Sequence, residues 1–201
     1  VCSSDLAYGI DHPGSHWLAV HQHNEAEAVA RVLERLQAGQ RVAYISDAGT
    51  PAISDPGARL VQGVQAAGLR VVPLPGASSV TALLSVSGSL LPDSAGFVFV
   101  GFLPSKSAER ERAVLGVMAD ARAQVLLEAP HRIEALGQAL AVLGARQVTL
   151  GRELTKQFEE IVTLPAADLL AWLQASPQHI RGEFALVIHA QATSSETPQA
   201  D

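Results

Sequence analysis

A strand, a glycine-containing loop and a helix follow one another twice between Arg41 and Gly88. Parallel strands require a crossover connection, usually a helix, so this alternation predicts βαβ units over a parallel sheet. Open sheets of this kind bind ligands beyond the carboxyl ends of their strands. The predicted elements are strand Arg41–Ser46, loop 47–57, a helix to Gly68, strand Arg70–Leu74, loop Pro75–Ser79 and a helix towards Gly88.

An amphipathic helix is predicted ahead of the first strand. Asn24 and Glu27 have the spacing of a capping box, and Gly39 supplies a stop. Its apolar stripe consists of Val29, Val32, Leu33 and Leu36.

The pattern changes after Pro92, where short strands predominate and antiparallel pairs are expected. We predict an α/β protein with a parallel-sheet N-terminal domain over 7–94 and a mixed-sheet C-terminal domain over 95–191. Residues 1–6 are expected to be foreign to the fold, and 192–201 have the composition of a disordered tail. The predicted strands are Gly96–Leu103, Gln124–Glu128, Gln147–Leu150, Glu160–Leu164 and Glu183–His189, with helices near 108–119, 130–144 and 167–173.

Composition narrows the functional classes. The net charge is −6, which disfavours a protein that holds naked nucleic acid through its phosphates. Cys2 is the single cysteine, so neither a disulfide framework nor a thiolate metal site is expected. No apolar run reaches the length of a membrane span, and no signal peptide is recognisable. A cytoplasmic protein without a membrane partner is predicted.

The loop Ser46–Gly57 (SDAGTPAISDPG) is the strongest local signal. Its small residues allow a ligand to approach the backbone closely. It matches neither a phosphate-binding Walker A loop nor a GxGxxG fingerprint, and Asp47 and Asp55 would repel a phosphate. A ligand with hydroxyls or a positive charge fits better. An Asp-rich turn that caps the next helix is the alternative.

Two charged clusters could carry proton chemistry. Glu128, His131 and Arg132 surround one predicted helix start, while Arg152, Glu153 and Lys156 follow the next strand. The carboxylates, the imidazole and the amine could hold a proton, and the cationic groups could hold phosphate. The alternative is that Glu128 and Arg132 form an i, i+4 ion pair on a solvated helix end. The histidines do not form a metal pattern, and no metal is predicted.

Seven segments together resemble one family. In order they are 18–25 (LAVHQHNE), 46–57 (SDAGTPAISDPG), 70–79 (RVVPLPGASS), 101–107 (GFLPSKS), 128–132 (EAPHR), 152–160 (RELTKQFEE) and 181–188 (RGEFALVI). The order and spacing are similar to those of the bacterial ribosomal RNA small subunit methyltransferase I family, which has the tetrapyrrole-methylase fold. The resemblance runs from about Trp17 to His189.

This resemblance implies S-adenosylmethionine-dependent methylation of a cytidine ribose 2′-hydroxyl in the decoding region of 16S rRNA. It also implies two α/β domains with the cofactor in the cleft between them, a homodimer, and the small ribosomal subunit as partner. The cofactor contacts that it implies are Ser46, Asp47, Ala48, Gly49, Thr50, Pro51, Ile53, Ala77, Ser78, Ser79, Leu127, Leu154, Glu183, Phe184 and Ala185. Glu128, His131, Arg132, Arg152, Glu153 and Lys156 are predicted to handle the proton and hold the RNA.

The sequence departs from the family pattern at its start. The family's first strand and Thr-Pro-Ile-Gly-Asn-Leu loop are absent, so an exposed sheet edge and reduced stability or activity are expected. Two other functions stay open. One is a methylase of the same fold that acts on a tetrapyrrole or another small molecule, and the other is a non-catalytic fragment that binds the cofactor.

Overall fold

The computed structural model describes residues 16–21, 23–46, 49–90 and 96–191. The head 1–6, the tail 192–201, and Asp47 and Ala48 of the predicted ligand loop lie outside these residues. The chain divides into two compact units, one ending at Ser78 and the other beginning at Ser79. The domain boundary predicted after residue 94 falls in a stretch outside the described residues and stays a prediction.

The first unit contains two packed helices, α1 (Glu25–Gln37) and α2 (Ala58–Ala66). Gly63 permits their close approach, because a Cβ there would lie 2.5 Å from Val29 Cγ1. The predicted apolar stripe of α1 is confirmed by this packing. Its core consists of Val32, Leu60 and Val64, with Leu18, Val29, Leu33, Leu36, Tyr44 and Leu69 packed around them.

The predicted capping box at the start of α1 is wrong. Asn24 makes no side-chain hydrogen bond to the helix. Its Oδ1 accepts the His21 N–H at 2.8 Å, and its Nδ2 donates to the Ala19 carbonyl at 2.9 Å. An Asn side chain serves backbone turns as readily as helix ends, and here the preceding turn takes it.

The predicted strands Arg41–Ser46 and Arg70–Leu74 are not formed in the described part of the first unit. A strand needs a partner for its N–H and C=O groups, and no described residue there pairs with either segment. Their apolar side chains are exposed, Ile45 at 53% and Leu74 at 81%. The β-rich composition therefore predicted extended backbone, but not a partner.

The second unit is built on a five-stranded sheet of order β1-β2-β5-β3-β4. Strands β1 and β2 are parallel, while β2–β5, β5–β3 and β3–β4 are antiparallel, which confirms the predicted mixed α/β architecture. The elements are α3 (Ser79–Ser87), β1 (Phe97–Gly101), α4 (Ser107–Ala119), β2 (Ala123–Glu128), α5 (Ile133–Leu140), β3 (Gln147–Arg152), β4 (Glu160–Pro165), α6 (Leu169–Gln174) and β5 (Phe184–Ile188).

The sheet is covered on both faces. Leu126, Leu150 and Leu186 pack with α4, α5 and α6 in the larger core. Val125, Ala185 and Val187 point the other way and pack with α3. Helix α3 therefore contacts the C-terminal sheet, although the sequence placed it in the N-terminal domain. No helix in the described stretches combines the length and apolar character needed to cross a membrane.

Arg146 joins the end of α4 to the neighbouring ends of the inner strands β3 and β5. Its guanidinium donates to the carbonyls of Val117, Asp120, Arg122 and His189 at 2.7–3.1 Å. One half-buried cation thus bonds four backbone acceptors, of which the Val117 and Asp120 carbonyls also accept from Gln124 Nε2.

We expect Arg146→Ala to lower the free energy of unfolding by about 3 kcal/mol, because four carbonyls lose a cationic donor and Gln124 still bonds only two of them. Urea denaturation measures this change. Arg112→Ala is the control, since among the described residues this exposed side chain bonds the Ala108 carbonyl of its own helix and no other element. Equal midpoints for the two variants would contradict the role given to Arg146.

Candidate active site

The two predicted ligand loops of the first unit lie against each other. Thr50 Oγ1 donates to the Ala77 carbonyl at 3.0 Å, and Gly49 faces the same carbonyl. Ser46 Oγ donates to the Gly49 carbonyl at 2.9 Å. Side-chain hydroxyls therefore fix the backbone of both loops. Pro51, Ile53 and Ser78 lie in the same two loops; Asp47 and Ala48 lie outside the described residues.

The predicted cofactor residues of the second unit divide between the two faces of the sheet. Leu127 pairs with Ala185, and Leu127 and Leu154 pack beside the small core under α3. Ser79 begins that helix. The Phe184 side chain instead points into the larger core on the opposite face. Leu127, Leu154 and Ala185 are therefore brought together, whereas only the backbone of Phe184 is available on their side.

Glu128 and Arg132 form an ion pair, with 3.1 Å between Arg132 Nε and Glu128 Oε1. The pair is not on a solvated helix end, because the Glu128 side chain is fully buried. Glu128 Oε1 also accepts the Ala129 N–H at 2.9 Å. Arg132 reaches across to the Leu103 carbonyl and to Ser105 Oγ. The pair thus anchors the loop that follows β1.

Arg152 is also paired and nearly buried. Its guanidinium donates to Glu160 Oε2 at 3.1 and 3.2 Å, across the β3–β4 hairpin where the two residues stand opposite each other. Glu160 Oε1 lies 3.6 Å from His179 Nε2, and the His179 ring stacks on Trp172. The Arg152 charge is therefore neutralised within the fold.

Glu153, Lys156 and Glu183 form a charged cluster at the end of β3. Glu153 Oε1 accepts both the Glu183 N–H at 2.9 Å and Lys156 Nζ at 3.0 Å. The Glu183 N–H and the Lys156 ammonium hold the pKa of Glu153 below its usual value. Glu153 and Glu183 together raise the pKa of Lys156. Near neutral pH, Glu153 is thus a carboxylate and Lys156 an ammonium, which makes neither a ready proton acceptor.

The turn after β3 is strained around this cluster. Glu153 and Thr155 have φ values of +49° and +65°, which side chains with a Cβ rarely adopt. Gly182 lies against Glu153, and a Cβ at this position would collide with the carboxylate group. The glycine of the RGE segment therefore leaves room for Glu153.

The register of β5 places both charged groups at one end of the sheet. Glu128 on β2 and Arg152 on β3 are both paired with Phe184. Two strand spacings separate them, about 10 Å. His131 lies on the exposed turn after β2. The six predicted catalytic residues thus form two neighbouring groups, and their buried members share the sheet face opposite Leu127 and Ala185.

Some residues that hold this region were missed in the sequence. Glu160 is the partner of Arg152, and a hairpin register over the RELTKQFEE segment would have found it. Arg110, nearly buried, donates to the Ser105 carbonyl at 3.3 Å and supports the same loop as Arg132. A charge within the buried stripe of a helix is the signal for residues of this kind.

Among the described residues, no group of three His, Cys, Asp or Glu side chains is arranged to hold a metal ion. A groove of about 550 Å³ between α4 and α5 is bordered by Arg110, Leu115 and Val142, and none of the predicted site residues lines it.

The chain belongs to the tetrapyrrole (corrin/porphyrin) methylases, whose family model matches residues 10–170. Within that class it is similar to proteins named ribosomal RNA small subunit methyltransferase I. The relative from Pseudomonas aeruginosa is 45% identical over 90% of this chain and 63% of its own length. The relative from Vibrio cholerae is 43% identical over 91% and 63%. The resemblance found in the motifs is confirmed, and the chain spans slightly less than two thirds of these relatives.

Solved structures agree on the fold. The cobalt precorrin-4 methyltransferase CbiF superposes with a TM-score of 0.63 at 18% identity, covering 92% of this chain and 79% of the other. Uroporphyrin-III C-methyl transferase from Thermus thermophilus, complexed with S-adenyl homocysteine, gives 0.50 at 16% identity, covering 81% and 73%.

Glu153→Gln is expected to alter the pH dependence of stability. The folded pKa of Glu153 is lowered, so its carboxylate stabilises the native state above the usual value of 4.5, and this contribution disappears as pH falls through the folded pKa. The difference in unfolding free energy between the parent and the variant should therefore be larger near about pH 7 than near about pH 3. Urea titrations at both pH values measure it.

Glu34→Gln, which removes an exposed carboxylate on α1, is the control and should show no such convergence. A Glu153→Gln difference that stays constant from neutral to acid pH would contradict the charge-dependent role of Glu153.

Proposed function

We propose that this chain is an S-adenosylmethionine-dependent methyltransferase that methylates a ribose 2′-hydroxyl of a cytidine in the decoding region of 16S rRNA. The observation that carries the proposal is the 45% identity, over 90% of the chain, to a relative named ribosomal RNA small subunit methyltransferase I. The proposal includes the assembled small subunit as substrate, a homodimer and a cytoplasmic location.

The residues present fit the cofactor. S-adenosylmethionine supplies a methyl group on a sulfonium, and the Thermus thermophilus fold neighbour is complexed with the corresponding demethylated product. In the first unit, exposed Gly49 and Ala77 leave loop backbone open to a ligand. In the second, partly buried Leu127 and Leu154 offer apolar surface for a planar base. We assign cofactor binding to the predicted contacts in these two loops of the first unit and to the predicted contacts around Leu127 and Leu154 in the second.

In the proposed reaction, residues of the site must orient the ribose 2′-hydroxyl towards the methyl group and accept the proton that this hydroxyl loses. Glu128 is buried and paired, Glu153 is tied to a backbone N–H, and the pKa of Lys156 is raised. These three groups therefore suit positioning better than proton transfer. His131 is exposed on the turn that follows Glu128, and an imidazole nitrogen is a common proton acceptor in enzyme sites. We assign proton acceptance to His131 and RNA contact to Lys156.

The first test is calorimetric titration of the chain with S-adenosylhomocysteine, followed by transfer of labelled methyl groups to small ribosomal subunits that lack the modification. Binding and ribose labelling are expected. Labelling of a uroporphyrinogen-type substrate instead would favour the small-molecule methylase, and binding without transfer would favour a non-catalytic fragment. No binding at all would contradict the methyltransferase proposal.

Glu128→Gln should lower turnover by about tenfold or more while leaving the affinity for S-adenosylhomocysteine nearly unchanged. The amide keeps the shape of the side chain but removes the charge that holds Arg132, and so loosens the loop at Leu103–Ser105. Single-turnover methylation and calorimetry measure the two quantities. Unchanged turnover would remove Glu128 from the mechanism.

A further inference from the structure

Glu25 is a buried acid outside every site described above. It is the first residue of α1 and only 9% exposed, on the same buried stripe as Ala28 and Val32. A carboxylate on a buried stripe costs free energy unless it is bonded, so its partners indicate its role.

Its main partner is the end of the predicted cofactor loop. Glu25 Oε1 accepts the Gly57 N–H at 2.8 Å, and Glu25 Oε2 lies 3.7 Å from Nε of the largely exposed Arg59. Gly57 is the N-cap of α2 and has no side chain to cap that helix. Glu25, from another helix, thus bonds the backbone N–H of the N-cap residue, the group that a Glu at the third helical position bonds in a capping box.

Tyr44 fixes the same point from the other side. Its hydroxyl donates to the Pro56 carbonyl at 2.6 Å, and its ring occupies the space that a Cβ on Gly57 would need. Gly57 has φ of +127°, so glycine is required on two counts. The loop is therefore held at Pro56–Gly57 by two side chains, and at Thr50 by its bond to Ala77.

Between these two attachment points the backbone is strained. Ala52 and Ser54 have φ values of +65° and +63°. This conformation costs a non-glycine residue free energy, so it persists only when the surroundings impose it. The loop is thus expected to relax when an attachment is removed.

We propose that Glu25 is a positioning residue for the cofactor, which acts by holding Gly57 and, through it, the conformation of loop 49–57. The inference deepens the proposed function and rests on it, because it takes this loop as part of the S-adenosylmethionine site. Glu25 itself does not touch the cofactor. A purely structural role would change stability without a selective effect on the loop.

The test compares Glu25→Ala, which removes the acceptor, with Glu25→Gln, which keeps a neutral one. Glu27→Ala is the matched control, because it removes an exposed acid from the same first turn of α1. We expect Glu25→Ala to raise the Kd for S-adenosylhomocysteine by about tenfold, and Glu25→Gln to restore it to within about threefold of the parent. Calorimetry is run below the unfolding temperature of every variant, with melting curves recorded alongside.

Hydrogen–deuterium exchange of peptides covering 49–57 is the second readout and needs no ligand. Faster exchange in this loop for Glu25→Ala, but not for Glu25→Gln or Glu27→Ala, is expected. In methylation assays, the KM for the methyl donor should rise while kcat at saturation is retained.

Parent-like affinity or loop exchange in folded Glu25→Ala would overturn the proposal. So would an equal loss of affinity in Glu25→Ala and Glu25→Gln that follows their melting temperatures. If the parent chain itself binds no S-adenosylhomocysteine, the proposed function fails and the cofactor role of Glu25 fails with it. The exchange comparison then still decides whether Glu25 holds the loop.

Discussion

The pairing of β5 with β2 on one side and β3 on the other determines the geometry of the second unit. All five residues of β5 are buried, with Phe184, Leu186 and Ile188 in the larger core and Ala185 and Val187 under α3, so a shift of one residue would exchange the large and the small side chains between the two cores. The register sets Glu128 and Arg152 opposite Phe184, and Leu127 and Gly151 opposite Ala185. Neighbours in sequence are thereby sent to opposite faces. Charged side chains on one side of the sheet hold loops, while apolar side chains on the opposite side pack against α3.

Local sequence patterns predicted the helices and strands whose hydrogen-bond partners and core lie within the same unit. The helices and the five strands of the second unit were found because apolar periodicity and the glycine stops agree with a core that the same unit supplies. The strand predictions for Arg41–Ser46 and Arg70–Leu74 were wrong because a strand depends on a pairing partner, which the composition of the segment does not specify. The capping-box prediction for Asn24 was wrong for a related reason, since its short side chain can bond either the helix start or the preceding turn, and it bonds the turn.

The candidate site was partly predictable for the same reason. The motifs located the two loops, and in the structure Thr50 of one loop bonds the Ala77 carbonyl of the other. What the sequence could not supply was the environment of each charge. Glu128 and His131 are three residues apart, yet one side chain is fully buried and the other is exposed. Burial and pairing, rather than residue type, separate a positioning group from one that can meet a substrate.

A common arrangement explains why so many charges near the site are unavailable for chemistry. Glu25, Arg132 and Arg152 each lie largely inside the fold, and each bonds a turn or loop elsewhere in the chain, at Gly57, Ser105 and Arg181 respectively. A buried charge is costly to leave unpaired, so a loop held by one has few alternative positions. The strain at Ala52 and Glu153 is retained beside such contacts. The loops that we propose to present backbone groups to the cofactor are thus kept in order by side chains that lie largely inside the fold.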